Sequence, residues 1–478
     1  MSRIEKDSLG EIQVPDNVLY GAFTTRASKN FRISGIKANP EFIRSLAIIK
    51  KACAKANIKL NMLNETIGDV MIQAADDIIE GKYHDQFILD VFQAGAGTPF
   101  NMNMNEVIAN LAIMRLGGNP GDYSKVHPNN HVNMAQSSND VIPTTIRLSV
   151  LLTLLPLKKE LEKLIAEFHS KAKEFIHVIK VGRTHLEDAV PIRYDQVFNG
   201  YAASLEKCLD RLKISEKRML ELGIGGTAIG TGINTHPDFK NRVISELNLL
   251  TGFEFHAGNS IMLSWSMTGF VDVSNALRML AIEMNKISND LRLLNSGPRT
   301  GISEIVLPEV EPGSSIMPGK INPSIAEALN MACFQVAGND HAVAMAAEAG
   351  QLELNVMTPL IAFDLLWSIG LLTNTMKMFR EDCISGMIVD EKRCNELIEH
   401  SHALATVLNP YIGYDKVAHL VKTALLENKS LKQVLIEKDI IPQEYLDEIL
   451  NAMKMTEPRI VDKKILNEIM SYGKKKTN

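Results

Sequence analysis

One short segment carries the residue types best suited to chemistry. Residues 313–322 read GSSIMPGKIN, so two serine hydroxyls and the cation of Lys320 lie close together along the chain. Gly313, Gly319 and Pro318 disfavour an α-helix here and favour a loop. A mobile loop of this kind could close over an anion, although an ordinary surface loop with incidental Ser and Lys would have the same composition.

Three further clusters are rich in hydrogen-bond donors. Each is predicted to lie just before a long helix or near the end of one, where unpaired N–H groups and the helix dipole favour a bound carboxylate. Helix capping, for which Ser, Thr, Asn and Asp are preferred, is the alternative for each cluster taken alone. The clusters are residues 95–98 (GAGT) with Asn101, Asn103 and Asn105, residues 136–140 (QSSND), and residues 182–185 (GRTH).

Together with the loop, these clusters supply hydroxyls, amides, one imidazole and one lysine, which suits a small dicarboxylate ligand. The sequence shows no obvious cofactor site. Chemistry on a small carboxylic acid without a cofactor points to removal of a proton next to a carboxylate, and the resulting anion needs preorganised donors. A loop serine can act as the base only if loop N–H groups and a nearby cation stabilise its alkoxide.

Two segments resemble nucleotide-binding motifs only in part. Residues 313–320 have one residue too many between the glycines for a phosphate-binding P-loop, and Ile321 replaces the Ser or Thr that would bind magnesium. Residues 223–228 (GIGGTA) fit the pattern G-x-G-x-x-A, but a charged helical segment precedes them instead of a strand. Both nucleotide interpretations are therefore rejected.

Long helices must position these clusters. Apolar residues recur at three- and four-residue spacing, and strand-like alternation is nearly absent. Such broad apolar faces need other helices to bury them, which predicts an elongated bundle that packs against sister subunits. The predicted helical stretches are residues 41–60, 65–80, 144–178, 201–222, 261–294 and 324–339, the last continuing through 342–379. A short hairpin is predicted around residues 4–14, and a Gly/Asn-rich break at residues 95–105.

Composition and charge exclude several classes of protein. The 478 residues carry a net charge of −5 without a long basic stripe, which argues against a nucleic-acid partner. The first residues lack the apolar core of a signal peptide, and no run approaches the length of a membrane span, so we expect a cytoplasmic protein. The five scattered cysteines are expected to be buried thiols, and neither they nor the histidines show the spacing of metal ligands.

The clusters match, in order and spacing, the aspartase/fumarase superfamily of helical lyases. Residues 313–322 fit the signature G-S-x-x-M-x-x-K-x-N of this family completely. The similarity extends from residues 3–7 (RIEKD) through residues 230–235 (GTGINT) to residues 409–413 (NPYIG), which is essentially the whole chain. By this resemblance the chain is identified as a member of the family.

The resemblance implies an all-α lyase of three domains. A mostly helical N-terminal domain (residues 1–136) would precede a central bundle of long helices (residues 137–390), and a small helical C-terminal domain (residues 391–478) would follow. Four copies would form a homotetramer whose central helices build a twenty-helix core. Each active site would then draw its clusters from three different subunits.

The resemblance also implies roles for individual residues. Ser314 would be the base that removes a Cβ proton, while Lys320 and Asn322 would hold the carboxylate that takes up the negative charge. Glu327 would pair with His185, orienting the imidazole and favouring its protonated form. No metal and no cofactor are expected. The remaining implied substrate ligands are Thr98, Ser137, Ser138, Asn139, Thr184 and Ser315.

Two branches of the family share all of these residues and differ in the group that leaves from Cα, which is ammonia in aspartate ammonia-lyase and water in class II fumarase. The features closer to the ammonia-lyases are residues 347–357 (AEAGQLELNVM), 92–98 (FQAGAGT) and 408–410 (LNP). The features closer to the fumarases are Ser138, Gly319 and residues 413–416 (GYDK). His127 resembles part of a peripheral anion site of fumarases, or else has a structural role.

On balance the sequence favours the ammonia-lyase branch, with L-aspartate and fumarate as the small dicarboxylates. Class II fumarate hydratase, which interconverts fumarate and L-malate, is the alternative. A third hypothesis is a helical scaffold that is related to the lyases but catalytically silent. The retention of Ser314, Lys320, Asn322, His185 and Glu327 argues against that third hypothesis.

Overall fold

The computed structural model describes the backbone of residues 2–477 and the side chains of residues 2–472. Helices account for most of the described residues, which confirms the expected all-α fold. The helices are α1 (Ala22–Asn30), α2 (Pro40–Lys59), α3 (Glu65–Ile79), α4 (Thr98–Arg115), α5 (Ser138–Glu174), α6 (Tyr194–Ser215), α7 (Phe239–Thr251), α8 (Ser260–Trp265), α9 (Thr268–Leu294), α10 (Ser324–Glu348), α11 (Thr358–Phe379), α12 (Glu391–His400), α13 (Asn409–Ile412), α14 (Tyr414–Glu427), α15 (Leu431–Glu437), α16 (Gln443–Ile449) and α17 (Lys463–Thr477).

The strands are short and form two-stranded sheets. Three of the four sheets in the described residues are antiparallel, and only the pair β5–β6 is parallel. The first sheet is a hairpin, as predicted around residues 4–14. The pairs are β1 (Ser2–Asp7) with β2 (Gly10–Pro15), β3 (Ile179–Thr184) with β4 (Glu187–Arg193), β5 (Glu221–Leu222) with β6 (His256–Ala257), and β7 (Ile305–Val306) with β8 (Ile388–Val389).

Two of the long helices expected from the sequence are each divided. The stretch 261–294 forms α8 and α9, and the stretch 324–379 forms α10 and α11. Asn355 explains the second division, because its side-chain amide donates to the carbonyls of Ala346 (2.9 Å) and Ala347 (3.0 Å) and so satisfies the C-terminal end of α10. Its Oδ1 accepts from the N–H of Met357 (2.9 Å), which leads the chain into α11.

The predicted Gly/Asn-rich break at residues 95–105 is only partly correct. The glycines do form a turn, since Gly95 and Gly97 have φ values of +71° and +79°, but α4 begins immediately afterwards at Thr98. The three asparagines of this cluster are no more than 1% exposed and lie inside α4. The cluster at residues 182–185 is also misplaced by the prediction, because it lies on the hairpin β3–β4 and not at a helix end.

The chain divides into two compact units, each assembled from separate stretches of sequence. The first contains the described residues up to Glu160 together with Lys207–Ile282 and Met331–Asn374. The second contains Leu161–Glu206, Glu283–Asn330 and the described residues from Thr375 onwards. The three contiguous domains expected from the resemblance stay a prediction.

Each unit has its own apolar interior. In the first, α2 packs against α3, α4 and α7, with Leu46 and Ile49 of α2 fully buried. In the second, the C-terminal helices surround a cluster that includes Leu408, Leu435 and Ile449. All five cysteines are buried, as predicted.

Two helical segments are long and apolar enough to cross a membrane if length and composition alone are considered. They are Ser138–Glu174, whose most apolar window is 78% buried, and Thr358–Ile384, whose window is 56% buried. Because the core helices of soluble proteins meet the same criterion, these segments do not by themselves indicate a membrane span.

Candidate active site

The loop at residues 313–322 is closed at its base by backbone and side-chain hydrogen bonds. The N–H of Gly313 donates to the carbonyl of Lys320 (2.9 Å), and the carbonyl of Gly313 accepts from Nδ2 of Asn322 (2.7 Å). A Cβ on Gly313 would lie only 2.5 Å from the carbonyl oxygen of Lys320. Glycine is therefore required at the point where the two ends of the loop meet.

The hydroxyl oxygen of Ser314 accepts hydrogen bonds from two backbone N–H groups of its own loop. Its Oγ accepts the N–H groups of Ile316 (3.2 Å) and Met317 (3.0 Å). Two N–H groups directed at one oxygen stabilise negative charge on it. This arrangement meets the first condition set out above for a serine base, namely stabilisation of the alkoxide by loop N–H groups.

The cation of the loop is paired with an amide. Nζ of Lys320 donates to Oδ1 of Asn322 (2.9 Å), and the Lys320 side chain is exposed. These two residues thus present an ammonium and an amide side by side at the end of the loop. Ser315 is exposed on the same loop, and Glu327 follows in the first turn of α10.

Thr184 and His185 lie at the exposed tip of the hairpin β3–β4. His185 and Leu186 form its two-residue turn, with φ values of +57° and +64°. Both conformations are in the left-handed region that favours glycine, as the common tight hairpin turns require. Strained backbone of this kind often marks a functional site, because the surrounding structure must hold it in place.

A buried charge cluster lies at the root of this hairpin. Glu304, which is fully buried, accepts from Arg183 (2.7 Å) and pairs with Lys180 (2.9 Å), and the hydroxyl of Tyr194 donates to it (3.1 Å). Burial is the main cause that lowers the pKa of Lys180. Sequence reasoning missed Glu304, although an acidic residue followed directly by the apolar residues 305–307 is a signal that could have identified it.

In the first unit, the structure brings two of the predicted clusters together. Nδ2 of Asn101 on α4 donates to Oγ of Ser138 at the start of α5 (3.1 Å). Thr98 opens α4, and its hydroxyl donates to the carbonyl of Gly95 (2.6 Å). The first turn of α5 at Ser138 therefore lies against the N-terminal turns of α4, as a composite binding surface would require.

Ser137 and Asn139 flank Ser138 and are held by local bonds. Oγ of Ser137 accepts the N–H of Asn139 (3.3 Å), and Nδ2 of Asn139 donates to the carbonyl of Ala228 (2.7 Å). The conformation of this turn is therefore set partly by residues almost ninety positions away in sequence.

Asp140 anchors the same turn from inside the protein. Its carboxylate accepts N–H groups from Ser137 (3.0 Å), Gly225 (3.0 Å) and Thr227 (2.9 Å). Burial raises the pKa of Asp140 to about 6, while these bonds act in the opposite direction. The glycine-rich residues 223–228, which only resembled a nucleotide motif, thus wrap a carboxylate of the protein itself.

We expect Asp140→Asn to raise the KM for the substrate by about tenfold, because one buried N–H would lose its acceptor and face the new amide N–H₂. The turn at residues 137–139 would then shift away from its bound geometry. Steady-state kinetics measure the effect. Asp364→Asn is the matched control, since Asp364 is also buried in the first unit and burial also raises its pKa to about 6. Equal KM values for the two variants would contradict the expectation.

The contacts within one chain bear on two further sequence predictions, the pairing of His185 with Glu327 and the role of His127. No hydrogen bond or ion pair links His185 to Glu327 among the described residues, so their pairing stays a prediction. His127 has a local structural role, because its Nδ1 accepts the N–H groups of Asn129 (3.0 Å) and Asn130 (3.3 Å). Burial lowers the pKa of His127.

The long-helix architecture and the Ser/Lys loop define the class of the protein, which is that of the all-α lyases. The chain matches a family model described as lyase over residues 10–338, and a model of the fumarase C C-terminus over residues 404–457. The chain therefore belongs to the aspartase/fumarase family of lyases.

Individual relatives resemble the chain over nearly its whole length. Aspartate ammonia-lyase of Bacillus subtilis is 46% identical, covering 98% of this chain and 98% of its own. Class II fumarate hydratase of Halobacterium salinarum is also 46% identical, covering 95% and 97%. A crystal structure of a fumarate lyase:delta crystallin from Brucella melitensis superimposes with a TM-score of 0.93 at 46% identity, covering 96% of this chain and 100% of that one.

Proposed function

We propose that the protein is an aspartate ammonia-lyase, which reversibly eliminates ammonia from L-aspartate to give fumarate. The observation that carries the proposal is the loop geometry: Oγ of Ser314 is held by two backbone N–H groups, on the same loop as the paired Lys320 and Asn322. A base with a stabilised alkoxide and a clamp for a carboxylate are the two parts that this elimination needs. The similarity to aspartate ammonia-lyases along the whole chain supports the choice of substrate.

In this proposal, Ser314 removes the proton from Cβ of aspartate. The electron pair of the broken C–H bond moves into the adjacent carboxylate, and the resulting dianionic aci-carboxylate is held by Nζ of Lys320 and Nδ2 of Asn322. The pair then returns to form the double bond as the Cα–N bond breaks, so the proton is left on Ser314 and ammonia departs with the electrons of that bond. Because the amino group leaves from its ammonium form, it needs no acid to protonate it.

Binding would replace contacts that exist in the open loop. Lys320 is exposed, and among the described residues its ammonium bonds only to a neutral amide. An incoming carboxylate can therefore replace that bond with a stronger, charge-assisted one. Ile316 is 82% exposed and Met317 50%, although both are apolar. We propose that the loop closes over the substrate and buries these side chains, which would also exclude water from Ser314.

We further propose a cytoplasmic homotetramer without metal, cofactor or nucleic acid, in which each site is shared by three subunits. Thr98 and the turn at residues 137–139 would come from one region of the chain, Thr184 and His185 from another, and residues 314–327 from a third. The pairing of His185 with Glu327 would then form between subunits. Long helices with exposed apolar side chains, such as Met331 and Phe334 on α10, support assembly around those helices.

Class II fumarate hydratase is the second candidate. The halobacterial fumarase has the same 46% identity to this chain as the Bacillus ammonia-lyase, over 95% of the chain against 98%. Ser138 and Gly319 are closer to the fumarase branch. Elimination of water differs in one requirement, because hydroxide must be protonated as it leaves. In that reaction one of the residues around the leaving group would have to act as a general acid. The loop containing Ser314 would have the same role in both reactions.

Absorbance of fumarate distinguishes the candidates when L-aspartate and L-malate are supplied in separate assays. We expect fumarate to form from L-aspartate and not from L-malate, because an ammonium leaves without an acid and the chain is similar to aspartate ammonia-lyases along nearly its whole length. Turnover of malate alone would contradict the proposal and favour the hydratase. Turnover of neither substrate by a folded tetramer would favour the silent scaffold.

A further inference from the structure

A chain of hydrogen-bonded polar side chains, most of them buried, leads from α2 to the first turn of α5 in the first unit. We name Lys50, Asn133, Asn101 and Ser138 the Lys50–Ser138 network. Oδ1 of Asn133 accepts hydrogen bonds from Nζ of Lys50 (3.0 Å) and from Nδ2 of Asn101 (3.1 Å). Nδ2 of Asn101 also donates to Oγ of Ser138 (3.1 Å). Lys50 is 2% exposed, Asn101 1% and Ser138 8%. Three members of the network therefore lie almost entirely out of contact with water, while Asn133 is partly exposed.

The orientation of the Asn133 amide is fixed from two sides. Nζ of Lys50 donates to Oδ1 of Asn133. Nδ2 of Asn133 donates to the backbone carbonyl of Gln136 (3.1 Å), which can only accept. Burial lowers the pKa of Lys50 to about 7. A neutral amine would still have two N–H donors, which suffice for its bonds to Asn133 and to Oε1 of Gln136 (2.8 Å). The amide of Asn133 thus presents its oxygen to Asn101 in either protonation state.

The amide of Asn101 is oriented in turn. Rotating it by half a turn would place its oxygen against Oδ1 of Asn133, so that two acceptors would face each other. In the observed orientation Oδ1 of Asn101 is buried without a hydrogen-bond partner among the described residues, a cost that the bonds to Asn133 and Ser138 offset. Because Asn101 presents N–H to Ser138, the hydroxyl oxygen accepts, and its proton is directed elsewhere.

We propose that Asn101 is a positioning residue that makes Ser138 a hydrogen-bond donor to a carboxylate of the substrate, with Lys50 setting this polarity through Asn133. The inference rests on the proposed function only in taking Ser138 as a ligand of the dicarboxylate. It goes further by assigning a role to Lys50, Asn133 and Asn101, none of which is among the proposed substrate ligands. It also explains why α4 tolerates asparagine inside a buried turn, where an apolar residue would pack without an unpaired oxygen.

Binding of fumarate tests the proposal, because fumarate is common to both candidate reactions. Titration calorimetry on the full-length Ser314→Ala protein measures its Kd without turnover. In that background Asn101→Asp replaces the N–H donors with acceptors, so Ser138 would turn its proton inwards. We expect the Kd to rise by about tenfold or more, the usual consequence of losing a hydrogen bond to a charged group. Ser138→Ala should weaken binding to a similar extent.

A double variant separates this role from simple charge repulsion. If Asn101 acts through Ser138, then Asn101→Asp combined with Ser138→Ala should bind fumarate about as well as Ser138→Ala alone. Repulsion between a new carboxylate and fumarate would instead add to the loss. Asn103→Asp is the matched control, since Asn103 is also on α4, is also 1% exposed and donates instead to the carbonyl of Gln86 (3.1 Å). It should leave the Kd within about twofold of the parent.

The inference would be overturned if the losses of fumarate affinity caused by Asn101→Asp and Ser138→Ala were additive in the double variant. Equal losses of affinity in Asn101→Asp and Asn103→Asp would also overturn it. If Asn101→Asp does not fold, as judged by circular dichroism, Lys50→Met takes its place. That variant keeps Asn101 intact but removes the donor that orients Asn133, so it should also raise the Kd for fumarate. The increase should be smaller when Ser138 has already been replaced by alanine. An unchanged Kd in Lys50→Met would count against the network. If the Ser314→Ala parent itself binds no fumarate, the proposed function fails instead.

Discussion

Ser314→Ala should lower kcat for L-aspartate by about 100- to 10,000-fold, the range that a general base contributes. The change removes the only oxygen in the loop that accepts two backbone N–H groups, so no other group is held in the geometry of a stabilised alkoxide. Stability should hardly change, because Ser314 is partly exposed and makes only local bonds within its loop. Fumarate formation and the melting temperature, measured on the same preparation, separate the two effects.

Ser296→Ala is the matched control for this variant. Ser296 is also a half-buried loop serine of the second unit, and its Oγ also accepts a backbone N–H, that of Ile302 (3.1 Å). Its loss should disturb a loop to a similar extent without touching the predicted site. Full activity in Ser314→Ala would remove Ser314 from the role of base. A fall in melting temperature large enough to account for the lost activity would show that the serine is structural.

The chemistry of the loop could be predicted from the sequence because its parts are local. Ser314, Lys320 and Asn322 lie within nine residues, and Pro318 and Gly319 between them disfavour a helix. The structure then adds the direction of each bond, such as the two N–H groups at Oγ of Ser314. Spacing along the chain predicts which groups can meet, but not which one donates.

The supporting contacts could not be predicted in this way, because they join distant parts of the sequence. Arg183 and Glu304 are 121 residues apart, and Lys50 and Asn133 are 83 apart. No periodic pattern relates such positions, and only the tertiary fold brings them together. Residues of this kind look like ordinary surface charges in a sequence, although Glu304 and Lys50 are almost completely buried.

The asparagines of α4 show how composition can mislead. Asn disfavours helix interiors because its side chain competes for backbone hydrogen bonds, so residues 101–105 looked like a break. In the structure Asn101 and Asn105 direct their amides to Oδ1 of Asn133 instead (3.1 and 3.2 Å). A tertiary partner thus overrides the local preference, and one of the asparagines that violate it, Asn101, also bonds to Ser138.

Mixing two inactive variants should restore activity if each site is shared between subunits. Ser138 is carried by the first unit and Ser314 by the second, and in the proposed tetramer the two serines of one site belong to different chains. A random one-to-one mixture of Ser138→Ala and Ser314→Ala subunits would then contain both wild-type serines in about a quarter of its sites. We therefore expect coexpression of the two variants to recover about a quarter of the wild-type kcat/KM per site, measured well below KM, where the weaker binding of Ser138→Ala lowers its own activity about tenfold.

The control mixture combines Ser314→Ala with Lys320→Ala. These residues lie on one loop, so every site in that mixture receives its loop from a single defective chain and activity should stay at the level of the separate variants. Light scattering establishes that both mixtures are tetrameric. Recovery in the first mixture alone would support a site built from more than one chain. No recovery in a tetramer of mixed subunits would mean that Ser138 and Ser314 of one site come from the same chain, and a monomeric protein would exclude the shared site altogether.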